Sequence, residues 1–284
     1  MTKAAEVPVP GAAATPFDAG ERRAWAGRAA AYAAGFGRLC AYPVPRLLDA
    51  AGVTEGTRVL DVGTGTGTAA VAACARGARV AAVDAEPDMV RTAAAAAPTA
   101  AVQLATLPQL PFADAAFDAV VGNFVLNHVG RPRTALAELR RVTRPGGRIA
   151  LTVWAAPPAA GQALLGRAVR AAGVPRPPDA PALAPEDDFP RTADGLAALL
   201  RTAGPLSAVE CAVVSWEHRT TLAEWWHGPA AGVATIGRVV TSRGPAGIER
   251  IRRHFVALAA EFTAPDGQLV LPHAALLASG RVAP

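Results

Sequence analysis

Nine residues, VLDVGTGTG at positions 59–67, constrain the fold of this chain more than any other segment. An apolar segment over 58–62 carries Asp61 and runs into a loop with glycine at every second position, and a helix-forming segment follows at Thr68. Glycine lets a backbone turn sharply and approach a ligand closely, and the start of a helix offers unpaired N–H groups. The segment is therefore typical of the ligand-binding edge of an open α/β sheet.

The glycine spacing distinguishes two kinds of nucleotide site. A dinucleotide fingerprint reads G-x-G-x-x-G, but this chain has Thr68 where the third glycine would stand and places Gly67 one position early. The spacing therefore argues against a nicotinamide oxidoreductase. A second apolar segment, 79–83, ends at Asp84, 17 residues after Gly67. An acid at that place can accept hydrogen bonds from ribose hydroxyls, so a nucleoside-bearing ligand is predicted.

Apolar segments and helix-forming segments alternate through the first half of the chain. This alternation predicts a parallel sheet covered by helices on both faces. The predicted strands are 58–62, 79–83, 101–105, 117–122 and 148–154, and the predicted helices are 67–76, 87–97 and 132–143.

The two ends of the chain have a different character. Residues 1–16 are rich in Ala, Pro and Gly and are predicted to be a disordered tail. Residues 18–51 are predicted to be helical, with Pro43 and Pro45 interrupting before a short helix at 46–51. After Trp154 the predicted order is helix 160–172, Pro-rich segment 175–190, helix 192–202, strand 206–219, helical segment 222–260 with breaks at Gly228-Pro229 and Gly244-Pro245, and strand 268–279. We expect one domain over 17–284, with its core at 58–154 and a variable segment at 155–204.

Composition argues against several classes of protein. The net charge is +5, but Lys3 is the only lysine and the arginines are scattered, so no nucleic-acid partner is expected. No segment reaches about 18 uninterrupted apolar residues, so no membrane span is expected. Three cysteines form no C-x-x-C pair, so we expect no metal site and no disulfide framework, and a reducing, cytoplasmic location fits.

Four segments in order resemble the successive motifs of a known family. They are VLDVGTGTG at 59–67, VAAVDAEPDM at 80–89, LPFADAAFDAVVGNFVLNH at 110–128 and VTRPGGRIALTVW at 142–154. The chain is similar over about residues 20–155 to the class I S-adenosylmethionine-dependent methyltransferases, in the branch of ubiquinone/menaquinone-type and natural-product tailoring enzymes. The resemblance implies S-adenosylmethionine as cofactor and a Rossmann-like seven-stranded sheet with an antiparallel last strand. It also implies a helical lid made by the N-terminal helices and an insertion at 221–266.

The resemblance assigns roles to residues of the first two motifs. The loop Gly63-Thr64-Gly65 would approach the methionine portion of the cofactor, and Asp61 would face its ammonium group or brace the loop N–H groups. Asp84 would accept from the ribose. Ala85 and Met89 would flank the adenine, although core packing is an equal expectation for Met89.

Further assignments lie on other elements. Thr106 and Leu107 stand where the family often has Asp-Ala, so adenine recognition would rest more on backbone and apolar contacts here. Asn123 would contact the methionine end, or else be a turn residue that bonds its own backbone. Trp25 and Tyr32 would close over the cofactor from the N-terminal helices, with core packing as the alternative.

Candidate acceptor and catalytic residues come from the predicted lid and from the loop after the fourth strand. Trp225-Trp226-His227 would line an acceptor pocket, with His227 as the general base; the alternative is an amphipathic helix with His227 exposed. His128 lies within reach of the crevice as a second candidate base or as a structural residue. His218 and His254 are predicted to be surface residues.

The resemblance, together with the apolar character of the predicted lid, predicts methyl transfer to a small, largely apolar acceptor, at an oxygen of a natural-product intermediate, by a monomer or homodimer. Methyl transfer needs mainly alignment and exclusion of water, and a hydroxyl acceptor benefits from a histidine base. A second hypothesis is a cofactor-binding enzyme on the same fold that does not methylate, such as a cyclase. A nicotinamide oxidoreductase is a third hypothesis, and the glycine spacing opposes it.

Overall fold

The computed structural model describes residues 14–175 and 182–283. The strands in those ranges are β1 (Arg58–Val62), β2 (Arg79–Asp84), β3 (Ala101–Leu104), β4 (Phe117–Asn123), β5 (Thr143–Trp154), β6 (Leu206–Thr220) and β7 (Leu269–Val282). They form one sheet in the order β3-β2-β1-β4-β5-β7-β6. Strand β7 runs antiparallel to β5 and β6, and the other pairs are parallel. The predicted Rossmann-like sheet with an antiparallel last strand is confirmed.

Helices cover both faces of the sheet and one of its ends. In chain order they are α1 (Pro16–Trp25), α2 (Ala29–Ala34), α3 (Phe36–Cys40), α4 (Val44–Ala50), α5 (Thr68–Ala75), α6 (Pro87–Ala96), α7 (Pro132–Val142), α8 (Ala160–Ala171), α9 (Ala193–Arg201), α10 (Leu222–Ala230), α11 (Ala234–Thr241) and α12 (Gly244–Ala259). Short 3₁₀ helices lie at Val125–His128 and Ala260–Phe262. Helices α10 to α12 are inserted between β6 and β7, as the resemblance implied.

The N-terminal helices begin earlier than predicted. Most of the predicted tail, residues 1–13, lies outside the described residues. Pro16 already belongs to α1, whose first turn is closed by a capping box between Thr15 and Asp18. Pro45 does not interrupt a helix as predicted. It stands in the first turn of α4, where a missing N–H costs no hydrogen bond.

One predicted break in the inserted helices is wrong. Helix α10 continues through Gly228-Pro229, and the chain turns instead at Gly232, whose φ is +77°. Pro229 stands in the last turn of α10, so it removes only one hydrogen bond near the helix end. Pro245 lies in the first turn of α12, so the second predicted break coincides with a helix start.

Three apolar clusters hold these layers together. Leu136 of α7 and Leu200 of α9 pack on one face of the sheet, and Leu47 of α4 packs with α5 on the other. A third cluster joins α8, α12 and the start of β7, with Phe255 fully buried. Because α8 and α12 share this cluster with Trp225 of α10, the inserted helices are anchored over the carboxyl ends of the strands.

Within the described ranges, no helix combines the length and apolar character that a membrane crossing requires. The same residues contain no group of three or more His, Cys, Asp or Glu side chains that could hold a metal ion.

Candidate active site

A cavity of about 500 Å³ opens where the parallel strands end. The inserted helices and the N-terminal helices form its outer walls. The predicted cofactor residues that line it are Tyr32, Gly63, Gly65, Asp84, Ala85, Met89, Thr106, Leu107 and Asn123. Trp25, His128 and Trp225 also line it, whereas Asp61, Thr64, Trp226 and His227 do not. The volume lies in the range of small-molecule and cofactor sites.

The loop after β1 is held against the tip of β2 by Asp84. The Gly65 N–H donates to Asp84 Oδ2 at 2.8 Å, and the Glu86 N–H donates to Oδ1 at 3.0 Å. Burial raises the pKa of Asp84, although these N–H donors act to lower it. A carboxylate has about four lone-pair sites, so Asp84 can support the loop and still accept hydrogen bonds from a ligand in the cavity.

Asp61 lies behind the loop and not on the cavity wall. It is 1% exposed, and the Thr64 hydroxyl donates to its Oδ2 at 2.7 Å. Its Oδ1 has no hydrogen-bond partner among the described residues. Burial raises the pKa of Asp61 to about 6, and the charge of Asp84 adds to the effect. Asp61 thus holds the loop through the Thr64 hydroxyl and not through the loop N–H groups, and its Oδ1 remains unpaired beneath the loop.

Asp61→Asn is expected to raise the free energy of unfolding above pH 6 by about 1 kcal/mol, because a buried carboxylate that hydrogen bonds compensate only in part is removed. The Asp61 pKa is about 6 in the folded chain against an ordinary value of 3.8. Between these values the folded chain keeps a proton that the unfolded chain has lost, so wild-type stability falls as pH rises through this window. Urea unfolding of both proteins from pH 4 to pH 8 measures the difference. A difference that does not change with pH would contradict this account of Asp61.

Asn123 joins the tip of β4 to the N-terminal helices. Its Nδ2 donates to the Cys40 carbonyl at 2.7 Å, and its Oδ1 accepts from the Thr152 hydroxyl at 2.7 Å. The alternative of a turn residue that bonds its own backbone is therefore wrong. Both ends of the amide are occupied by the protein, so Asn123 shapes the cavity wall by fixing α3 against the sheet.

His128 ties α1 to the loop after β4. Its Nδ1 lies 2.7 Å from Glu21 Oε2, and the neighbouring Gly130 N–H donates to Asp18 Oδ1 at 2.7 Å. Burial acts to raise the pKa of Glu21, but the hydrogen bond and charge of His128 outweigh it, so the net shift is downward. Glu21 is therefore ionised near neutral pH, and Nδ1 donates to it. This pairing closes α1 over the cavity, where Trp25 packs edge-on against Tyr32.

The prediction that His227 is a general base is wrong. Trp225 is buried and lines the cavity, but His227 is exposed and outside it. Successive residues of a helix are rotated by about 100°, so two positions carry His227 to the opposite side of α10. Trp226 also points away from the cavity and stacks on Phe255 in the cluster beneath the inserted helices.

His218 was predicted to lie on the surface and is instead 5% exposed. It belongs to a group of rings at the far end of the cavity, which we call the aromatic cluster: Trp154, Trp216, His218, Trp225 and His273. Trp216 faces His273 directly across β6 and β7. Sequence reasoning missed His273, since only this pairing brings it beside Trp154 of β5. One indication of this cluster was available in the sequence: Trp216 and His218 alternate along β6 and therefore lie on the same face of the strand.

His273 has a defined protonation state. Its Nδ1 lies 2.8 Å from the Leu271 carbonyl oxygen, which can only accept, so Nδ1 carries the proton. Burial lowers the pKa of His273 to about 4, and the nearby His218 adds to the effect. The ring is therefore neutral near pH 7.

A parallel sheet extended by an antiparallel strand, with a glycine loop after β1 and an acid at the end of β2, defines the Rossmann-like class to which methyltransferases belong. Residues 60–151 match the family model described as a methyltransferase domain. These findings agree with the resemblance: residues 60–151 of this chain are similar to the methyltransferase domain.

Individual relatives agree with this assignment. A demethylmenaquinone methyltransferase of Renibacterium salmoninarum is 39% identical over 111 residues, which are 39% of this chain and 47% of that protein. The chain thus spans about half the length of the curated relatives it matches. The structure of YcgJ from Bacillus subtilis superposes with a TM-score of 0.56 at 20% identity, covering 86% of this chain and 99% of that one. The [4+2]-cyclase SpnF superposes with a TM-score of 0.50 at 17% identity, covering 86% and 80%. Both structures share the fold.

Proposed function

We propose that this protein transfers the methyl group of S-adenosylmethionine to an oxygen of a small, uncharged, aromatic acceptor of the natural-product kind. One observation carries the proposal. A single cavity runs from the glycine loop and Asp84 to the aromatic cluster, so donor and acceptor can occupy one continuous space. We further propose a cytoplasmic, monomeric or homodimeric protein with one domain over 17–284.

The residues at the loop end suit S-adenosylmethionine. Gly63 lines the cavity and is packed against Val125 so closely that an added Cβ would stand 2.5 Å from Val125 Cγ2. The unpaired Oδ1 of buried Asp61 favours a positively charged group nearby, and the cofactor carries an ammonium and a sulfonium. Asp84 would accept from the ribose, while Ala85, Met89, Thr106 and Leu107 would surround the adenine.

The other end suits an apolar ring system. Phe124 stacks on Trp154 with ring centroids 4.1 Å apart. The charged residues that line the cavity come from α1 or from the ends of β2 and β4. In the described ranges the aromatic cluster contributes no charged residue to the cavity wall, because its one histidine there, His273, is neutral. A charged acceptor would lose its hydration here without compensation, so an uncharged one is favoured.

When bound, S-adenosylmethionine supplies a methyl carbon whose bond to sulfur breaks as its bond to the acceptor oxygen forms. The residues of the chain act by position. The glycine loop and Asp84 would fix the donor, the aromatic rings would orient the acceptor, and α1 and α10 would exclude water from the space between them.

Calorimetric titration with S-adenosylmethionine, S-adenosylhomocysteine and NADH tests the cofactor, and formation of S-adenosylhomocysteine during incubation with simple phenols tests the reaction. We expect both adenosyl ligands to bind, NADH not to bind, and the product to form. Binding of NADH alone would overturn the proposal. Binding of S-adenosylmethionine without turnover on any phenol would favour the alternative, a non-methylating enzyme such as a cyclase on the same fold.

A further inference from the structure

His273 is the one aromatic-cluster residue that combines a place on the cavity wall with a basic nitrogen. Its ring centroid lies 5.5 Å from that of Trp225 and 6.2 Å from that of Trp154, the two cluster residues that also line the cavity. Trp216 stacks behind it at 6.0 Å. These rings enclose His273 so closely that only 2% of it is exposed. A molecule bound among them would meet the histidine edge.

The free nitrogen of His273 is an acceptor. Because Nδ1 donates to the Leu271 carbonyl, Nε2 carries a lone pair in the neutral ring. In residues 14–175 and 182–283 the His273 ring makes one hydrogen bond, that of Nδ1 to Leu271. Because His273 lines the cavity, Nε2 is available to a hydrogen-bond donor bound there.

Two further polar atoms on the same wall are also unpartnered. Trp225 is 3% exposed, and its indole Nε1 has no hydrogen-bond partner among the described residues. The side-chain Oε1 of Gln162 in α8 is also buried without a partner there. Both residues line the cavity. The acceptor end thus presents acceptors at His273 and Gln162 and a donor at Trp225, which is a pattern for neutral hydroxyl or carbonyl groups.

We propose that the acceptor is a flat, uncharged phenol whose reacting hydroxyl donates to His273 Nε2 beside the rings of Trp154 and Trp225. This inference rests on the proposed methyl transfer and adds the acceptor class and the residue that orients it. The Trp225 N–H pairs with a second oxygen of the same molecule.

In this assignment His273 Nε2 accepts the proton that the hydroxyl group loses. As the bond between the phenol oxygen and the methyl carbon forms and the bond between methyl carbon and sulfur breaks, the phenol proton moves to Nε2. The ring is then an imidazolium that still donates through Nδ1 to Leu271. Burial lowers the pKa of His273 to about 4, so this proton passes readily to water once the product leaves.

Binding to the protein saturated with S-adenosylhomocysteine tests the inference. The probes are 2-naphthol and 2-methoxynaphthalene, which differ in the single hydroxyl proton, and their Kd values are measured by calorimetry at pH 7. We expect wild type to bind 2-naphthol about tenfold tighter, as for one buried hydrogen bond. His273→Asn removes Nε2 but can keep an amide N–H for Leu271, and it should erase the preference. His273→Gln extends an amide toward the Nε2 position and should restore part of it.

His227→Ala is the matched control, since it removes an exposed histidine of the same lid, and it should retain the wild-type preference. S-adenosylhomocysteine affinity and the melting curve report whether each variant folds. If His273→Asn does not fold, His273→Phe keeps the ring and takes its place. No preference in wild type, or a preference retained without Nε2, would overturn the inference. If the wild-type protein does not bind S-adenosylhomocysteine at all, that result would instead overturn the proposed function.

Discussion

Gly63→Ala is expected to lower the free energy of unfolding by about 2–4 kcal/mol, the sum of backbone strain and overpacking. Gly63 has a φ of +67°, which side chains other than glycine rarely adopt. An added Cβ would also stand 2.5 Å from Val125 Cγ2 and 2.8 Å from its Cβ. Val125 belongs to the short helix after β4, so the loop and that helix cannot both keep their places. Urea unfolding followed by circular dichroism measures the loss.

Gly56→Ala separates the two causes. Gly56 has a similar φ of +76°, but a Cβ there would meet nothing within 4 Å. This control should lose only about 1 kcal/mol, from backbone strain alone. If the two variants lose the same free energy of unfolding, contact with Val125 contributes nothing to the loss, and the loop at Gly63 is not packed tightly against that side chain.

Asp84→Ala is expected to weaken S-adenosylhomocysteine binding by about 1.5–3 kcal/mol, more than tenfold in Kd, as for loss of a hydrogen bond to a charged group. The substitution removes the acceptor from the cavity wall and also releases the Gly65 N–H, which Asp84 holds at 2.8 Å. Both effects act on the same end of the cavity. Calorimetric titration measures the change in Kd.

Asp88→Ala provides the comparison four residues away. Asp88 pairs with Arg91 on α6 and does not line the cavity. Its replacement should leave Kd unchanged. Asp84→Asn keeps one oxygen acceptor, so its Kd should lie between those of wild type and Asp84→Ala. If Asp84→Ala binds S-adenosylhomocysteine as tightly as Asp88→Ala does, Asp84 does not contact the ribose and the proposed assignment is wrong.

The core of the sheet could be predicted because its information is local. Each predicted strand from 58–62 to 117–122 agrees with the observed strand to within about a residue. For β1, β2 and β4 the reason is that a short apolar run bounded by turn residues specifies a buried parallel strand. The position of Asp84 on the cavity wall followed from the same pattern, because an acid that ends a parallel strand must lie at the ligand-binding edge.

The residues facing the acceptor could not be predicted in the same way. Trp225-Trp226-His227 form a run in sequence, but helix rotation places Trp225 in the cavity, Trp226 against Phe255 and His227 in solvent.

Sequence alone therefore determined the Rossmann-like order of strands and helices, the glycine loop and the acid beside it, since local periodicity and backbone conformation decide those features. Tertiary structure alone decided the acceptor end. The pairing of Trp216 with His273 joins residues 57 positions apart, and the pairing of β7 with β5 brings Trp154 beside them. Such contacts depend on the register of strands distant in sequence, which no local pattern encodes.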